Sequence, residues 1–242
     1  MAPPALIFLA GSGTRLRPHL EKPVAHKSLV PLPDGSTITS RQIKQLHTLR
    51  EEGLISDIHV VLGNAAEAME AYIRELETGL TVHMNEQHAT TNTAASARIG
   101  LQEMTEETVV CMDGDVVMDI DILRQTARDA ECNVSVLRPE AGLDDECVKC
   151  DYDASTGRIH HLGKGIEGQA EAIGVYKVPR AAIVELLCGE GLANKYFDDV
   201  LSIYAERGGA LKAIDITGLQ VTEVDELADY QLAQAIVSAG TP

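Results

Sequence analysis

The stretch ALIFLAGSGTRLRPHLEKPVAHKSL, Ala5–Leu29, opens with six apolar residues and turns at two glycines. It then gathers Arg15, Arg17, Lys22 and Lys27 against Glu21 alone. Ala5–Ala10 has the length and composition of a buried strand. In an open α/β sheet, ligands bind at the carboxyl ends of strands, which is where Gly11–Arg15 then lies. Gly11 and Gly13 let the backbone approach a polyphosphate and aim N–H groups at it. Arginine can grip two phosphate oxygens at once. The same residues also read as a solvated basic turn. Two common phosphate-loop patterns fail here. The third glycine of G-x-G-x-x-G is Leu16, and no G-x-x-x-x-G-K-[ST] is present. Pro18, Pro23, Pro31 and Pro33 keep the segment irregular.

Outward from this stretch, strand-like and helix-like patterns alternate. Ser36–Glu52, Ala65–Thr78 and Asn92–Met104 read as helices, and Asp57–Leu62, Leu80–Met84 and Thr108–Met112 as strands. Such alternation implies a parallel sheet with right-handed crossovers. From about Asp119 the pattern changes. Asn133–Leu137, Cys147–Tyr152, Arg158–Leu162 and Ala172–Val178 read as strands with little helix between them. Helices return at Pro179–Leu187 and Lys195–Arg207, then a strand at Leu211–Ile216 and a helix from Asp225. The expectation is one α/β domain over residues 1–242. It has a mixed, mainly parallel central sheet, flanking helices and an antiparallel excursion in its second half.

The acid excess, 37 Asp and Glu against 20 Lys and Arg, argues against nonspecific binding to nucleic acid or an anionic membrane. No apolar run approaches the ~18 residues that span a bilayer, and MAPPALIFLAGSG lacks the basic start of a secretory signal. With five cysteines, an odd number, the expectation is a cytoplasmic protein with reduced thiols. Cys147-x-x-Cys150 with His160 and His161 lacks the spacing of common zinc sites. A G-x-G-x-x-G at Gly163–Gly168 runs into AEAIGVYKV, a strand pattern, so its context for dinucleotide binding is wrong.

Asp113-Gly114-Asp115 follows the apolar run TVVCM. Two carboxylates at i and i+2 past a buried strand are placed to hold a hard cation such as Mg2+. An ordinary turn has the same composition. The glycine loop and this turn should share one edge of one sheet.

Taken in order, these residues resemble the nucleotidyltransferases that join a nucleoside triphosphate to a phosphorylated small molecule. Gly11-Ser12-Gly13-Thr14-Arg15 is similar to that family's G-x-G-[ST]-R loop. His26-Lys27-Ser28-Leu29 is similar to its P-K-[SP]-L element, with His26 in place of proline. Asn85-Glu86, Asn92-Thr93 and Ser96 resemble its N-E…N…S segment. Asp113-Gly114-Asp115 and Glu223-Val224-Asp225 resemble its metal-binding segments. HHLGKGIEGQAEAIGVYKV and KYFDDVLSIY resemble the phosphocholine and aminoethylphosphonate cytidylyltransferases within it.

The resemblance implies a Rossmann-like nucleotidyltransferase fold and in-line attack on an α-phosphorus with release of pyrophosphate. It implies CTP as donor and phosphocholine, 2-aminoethylphosphonate or a similar phosphate as acceptor. It makes Arg15, Lys27 and Lys164 catalytic. Leu9, Ala10, Gly11, Gly13, Thr14, Asn85, Asn92 and Ser96 would contact nucleotide. Asp115, Asp225 and Glu223 would hold Mg2+, and Lys164, Glu171, Tyr196, Phe197 and Asp198 would contact the acceptor. The alternatives are a sugar- or polyol-phosphate nucleotidyltransferase using UTP, dTTP or CTP, a glycosyltransferase of related fold, and a noncatalytic nucleotide-binding protein.

Overall fold

The computed structural model describes residues 2–20, 22–76, 79–189 and 191–240. Glu21 and Thr78, which entered the reading above, lie outside the described residues. The parallel half of the sheet is built from β1 (Ala5–Leu9), β2 (Ile58–Leu62), β3 (Thr81–Met84) and β4 (Thr108–Asp113). β1 lies between β2 and β4, and β3 extends the sheet beyond β2. The ten-residue β9 (Ala170–Pro179) runs antiparallel beside β4. Beyond it come β6 (Asn133–Leu137), then β10 (Lys212–Asp215), which is parallel to β6. β7 (Lys149–Tyr152) branches from β9 and pairs with β8 (Ile159–Gly163). This is the expected mixed sheet with its antiparallel excursion.

Alternation along β1 divides the core, because successive strand side chains point to opposite faces. Leu6 and Phe8 pack with α3 (Thr93–Gln102), α5 (Arg180–Leu187) and α6 (Phe197–Glu206). Ala5, Ile7 and Leu9 pack with α1 (Ile38–Glu51), α2 (Ala66–Glu75) and α4 (Ile120–Arg128). Gly100 of α3 lets that helix approach the sheet: a Cβ there would lie 2.6 Å from Leu6 Cδ1.

Helix α4, which was not anticipated, precedes the strands that begin at Asn133. Asp119 caps it through the Asp121 N–H, and Ile120, Leu123 and Ala127 form its buried stripe. Two three-residue strands were also not expected, β5 (Val116–Met118) and β11 (Val221–Glu223), which pair antiparallel. They bring the region before the last helix, α7 (Leu227–Ser238), onto the end of β4.

Leu16, at the failed third-glycine position, is fully buried. It packs with Val30, Leu32, Ile38, Val117 and Val224 and with Ala233, Ile236 and Val237 of α7. Burying a leucine is worth about 1.5–3 kcal/mol, enough to pin the loop to the body of the protein. Among the described residues, no helix is long and apolar enough to cross a membrane.

Candidate active site

The glycine loop and the Asp113–Asp115 turn meet because β1 and β4 are neighbours, with Phe8 opposite Asp113. The Gly114 N–H donates to the Phe8 carbonyl at 3.0 Å. A Cβ on Gly114 would lie 2.5 Å from that oxygen and 2.4 Å from Leu9 Cδ2, so the turn needs glycine. The small ladder supplies the third piece. Glu223 lies opposite Val116, and the Val224 N–H donates to the Asp115 carbonyl at 3.0 Å. Carboxylates over a hundred residues apart in sequence thereby become neighbours.

Lys27 joins them. It enters on a single helical turn, Lys27–Leu29, and is buried. Gly13, with φ of 57°, makes room, since a Cβ there would sit 2.4 Å from Lys27 Cβ. The ammonium donates to Asp115 Oδ2 and to Asp225 Oδ1, each at 2.7 Å. Arg15 donates to the other Asp225 oxygen at 2.6 Å. Burial alone would lower the Lys27 pKa. Asp115 and Asp225 override it and hold it above the ordinary lysine range. Against burial, Lys27 and then Arg15 hold the Asp225 carboxyl below its usual range.

His26, the residue in proline's usual place, forms this turn by other means. Its Nδ1 accepts from the Ser28 N–H at 3.2 Å and meets Ser28 Oγ at 2.7 Å. Burial lowers the imidazole pKa to about 4, so the ring is neutral near physiological pH.

The basic segment does not make a basic cleft. Arg17 and Lys22 are exposed. The cleft beside the turn is lined by Asp113, Asp115, Asp198, Glu223 and Asp225 against Arg15 and Lys164. Burial and then Asp115 push the carboxyls of Asp113 and Glu223 well above their ordinary range. Of the remaining carboxylates, Asp115 and Asp225 are answered by Lys27 and Arg15. Among the described residues, no three acidic, histidine or cysteine side chains form a ready-made metal cage. Asp115 and Asp225 do converge as a pair, on one point held by the Lys27 ammonium. A pair of carboxylate oxygens suits Mg2+, which usually takes one or two protein carboxylates and completes its shell with phosphate and water. The donor set therefore fits a divalent cation.

The residues expected at the acceptor divide between this cleft and other places. Lys164, Tyr196 and Asp198 line the cleft, Tyr196 being 53% exposed. Lys164 reaches Glu146 at 3.4 Å. Asp198 accepts a 2.6 Å hydrogen bond from the Tyr176 hydroxyl, and burial raises its carboxyl above the usual range against that bond.

Two expected acceptor residues sit elsewhere. Phe197 is a core residue, packed edge-on against Phe8 and Tyr176, because its place at the start of α6 turns it inward. Tyr176, which was not anticipated, lines the cleft together with Tyr196. Glu171 lines a second, adjoining acidic cleft with Asp144, Glu146 and Cys147, which meets the first at Arg15, Glu223 and Asp225.

Of the residues expected at the nucleotide, Ala10, Gly11, Asn85, Asn92 and Ser96 line the same cleft. Asn85 is committed to its own loop. Its Nδ2 donates to Thr91 Oγ1 at 3.2 Å and to Ser96 Oγ at 3.1 Å, and its Oδ1 accepts from the Gln87 N–H. Asn92 caps α3. Leu9, Gly13 and Thr14 do not line the cleft: Leu9 is core, Gly13 covers Lys27, and Thr14 is exposed. His88 and Thr91 line it and were not anticipated. His88 packs over Gly63, where a Cβ would meet its own Cβ at 2.6 Å. The signal available was a glycine directly after the strand DIHVVL.

The chain superposes on the inositol-1-phosphate CTP transferase of T. maritima with a TM-score of 0.80 and 19% identity, covering 100% of this chain and 98% of that one. It superposes on the CTP:phosphocholine cytidylyltransferase of Streptococcus pneumoniae with a TM-score of 0.78 and 20% identity, covering 98% and 100%. These likenesses show the fold. In sequence it is 24% identical over 236 residues to the bifunctional IPC transferase and DIPP synthase of Rubrobacter xylanophilus. That match takes in 96% of this chain but 51% of the relative, so the chain spans about half the length of that protein. Residues 4–138 match the sequence profile of the Nucleotidyl transferase family, which is more than half of the chain, and the chain belongs to that family.

Proposed function

We propose that this chain transfers the cytidylyl group of CTP to a small phosphorylated or phosphonylated acceptor. An acceptor oxygen attacks the α-phosphorus in line, the bond between that phosphorus and the bridging oxygen to the β-phosphorus breaks, and pyrophosphate leaves with the electron pair. The observation that carries the proposal is the meeting of Lys27 and Arg15 with Asp115 and Asp225 at the adjoining ends of β1 and β4. Phosphoryl-type transfer asks of a protein mainly positioning and charge neutralisation, and no side-chain nucleophile is required.

Each cation has a task. Lys27, released from its two carboxylates, neutralises charge building on the α-phosphate. Arg15, released from Asp225, stabilises the departing pyrophosphate. Lys164 orients the acceptor's anionic end. Asp115 and Asp225, with Glu223 beside them, would hold Mg2+, whose double charge offsets that of the phosphates.

CTP as donor is supported by two relatives of this fold whose names specify it. For the acceptor, phosphocholine or 2-aminoethylphosphonate would set its cationic end against Asp198 with Tyr176 and Tyr196, a carboxylate and two aromatic rings. Inositol 1-phosphate or another polyol phosphate is the second reading, supported by the T. maritima enzyme's name. Its hydroxyls would meet the same Asp198. The test is pyrophosphate release with each of four triphosphates and Mg2+ against phosphocholine, 2-aminoethylphosphonate, inositol 1-phosphate and glucose 1-phosphate. Release confined to CTP with one of the first three supports the proposal. Release only with UTP or dTTP and the sugar phosphate overturns it.

A further inference from the structure

Helix α1 touches neither cleft, yet one face of it holds both halves of the charged centre. Thr39 is fully buried, and its Oγ1 lies 2.9 Å from Ser28 Oγ and 3.2 Å from the Ser28 carbonyl. Ser28 follows Lys27 directly, and its own Oγ meets His26 Nδ1. Thr39 therefore fastens the turn that carries the lysine. Gln42 is 1% exposed, and its single amide nitrogen donates to the Asp113 carbonyl at 2.8 Å and the Val116 carbonyl at 2.9 Å. Those carbonyls flank Gly114-Asp115, so Gln42 fastens the turn that carries the aspartate. Residues three apart on a helix share a face.

Gln42 is also an awkward choice for packing alone. Its Oε1 is buried with no hydrogen-bond partner among the described residues, an arrangement that a leucine would avoid. What glutamine supplies there is two N–H donors aimed at two backbone carbonyls.

We infer that Thr39 and Gln42 are positioning residues that set the distance between Lys27 and Asp115. The inference rests on the transfer reading of this site, in which Lys27 must arrive over the α-phosphate. Gln45 provides the internal control. It is buried on the same helix, and its amide donates to the Met118 carbonyl at 2.9 Å, at the far end of β5 from Asp115.

The test compares T39V, Q42L, T39S and Q45L by two readouts. The first is the rate of reductive methylation of Lys27 in the free protein, followed by peptide mass spectrometry. The second is steady-state kinetics with CTP. T39V and Q42L should methylate at Lys27 several-fold faster than wild type. Their kcat should fall about 10²-fold while the KM for CTP moves less than about 3-fold, because a misplacement near 1 Å is felt in the chemical step. T39S, which keeps the hydroxyl, and Q45L should match wild type in both readouts even where Q45L melts earlier. Lys27 reactivity in T39V and Q42L equal to that in Q45L overturns the inference, as does an unchanged kcat. If Q42L does not fold, T39V against T39S decides alone. If wild type transfers no nucleotide, the functional proposal falls, while methylation still decides the positioning claim.

Discussion

Lys27 Nζ lies 2.7 Å from Asp115 Oδ2, so the cation expected to meet substrate is already paired with a carboxylate expected to meet metal. The same nitrogen is equally close to Asp225. In the free protein the lysine neutralises the charge that a divalent cation and a polyphosphate would otherwise rearrange. The proposed transfer then requires an exchange of partners, in which Lys27 would move from carboxylates to phosphate.

Removing the cation should be costly to rate. Lys27→Met is expected to lower turnover by roughly 10²–10³-fold, the range seen when one preorganised charge-stabilising group is lost. It should also let Mn2+ bind the nucleotide-free protein more tightly, since Asp115 and Asp225 lose their competing partner. Titration followed by the paramagnetic resonance of free Mn2+ checks this. Weaker Mn2+ binding in the variant would contradict the exchange.

The aspartates should separate by their partners. Asp225 holds both Arg15 and Lys27, whereas among the described residues Asp115 pairs with Lys27 alone. Both Asp115→Asn and Asp225→Asn should need more Mg2+ for half-maximal rate. Only Asp225→Asn frees Arg15 as well, so it alone should tighten pyrophosphate as a product inhibitor. Inhibition constants for pyrophosphate, measured at saturating Mg2+, distinguish the two.

Stability should fall as pH rises across the neutral range. The carboxyls of Asp113 and Glu223 are pushed up by burial and by Asp115. A raised folded-state pKa gives stability that is full below the ordinary carboxylate range and is lost as pH climbs through the raised value. Asp225, held low, works the other way, and its loss is confined to more acidic pH. Glu223→Gln should therefore raise Tm at pH 8 by about 2–4 °C, the shift that ~1 kcal/mol produces at this size. The gain should shrink towards pH 5. Melting curves of the metal-free protein at both pH values check the sign.

Two buried positions test the frame. Leu16→Ala should cost about 2–5 kcal/mol, as truncation of a buried leucine does, because Leu16 anchors the glycine loop against α7. Gly174 has φ of 65°, and a Cβ there would lie 2.6 Å from Asp113 Oδ2. Gly174→Ala should depress activity with a smaller loss of stability than Leu16→Ala. Urea denaturation and turnover, measured in parallel, check both.

Much of the frame was legible in periodicity. The strand before Gly11 and the strand before Asp113 predicted a common edge, and Phe8 lies opposite Asp113. Charge placement was less legible. Arg17 and Lys22 sit between Arg15 and Lys27 in the chain, yet they face solvent. Five carboxylates drawn from β4, α6 and the region around β11 make the cleft acidic. β5 and β11 are too short for a periodic signal, and their pairing carries Glu223 to the site. In YFDDV no pattern tells which aromatic turns inward. Phe197 does, because Phe8 and Tyr176 receive it edge-on. Glu171 lies on the motif that suggested it, but it faces the adjoining cleft. Gln42 reads as an ordinary helix residue, since its partners are two carbonyls more than seventy residues away.

The most direct measurement is 31P nuclear magnetic resonance of wild-type protein with CTP, Mg2+ and a phosphate or phosphonate acceptor. The account predicts loss of the γ- and β-phosphate signals of CTP, growth of free pyrophosphate, and a new pair of coupled resonances from a cytidylylated acceptor, in equal amounts. Growth of inorganic phosphate alone, or an unchanged CTP spectrum with every acceptor, would contradict it.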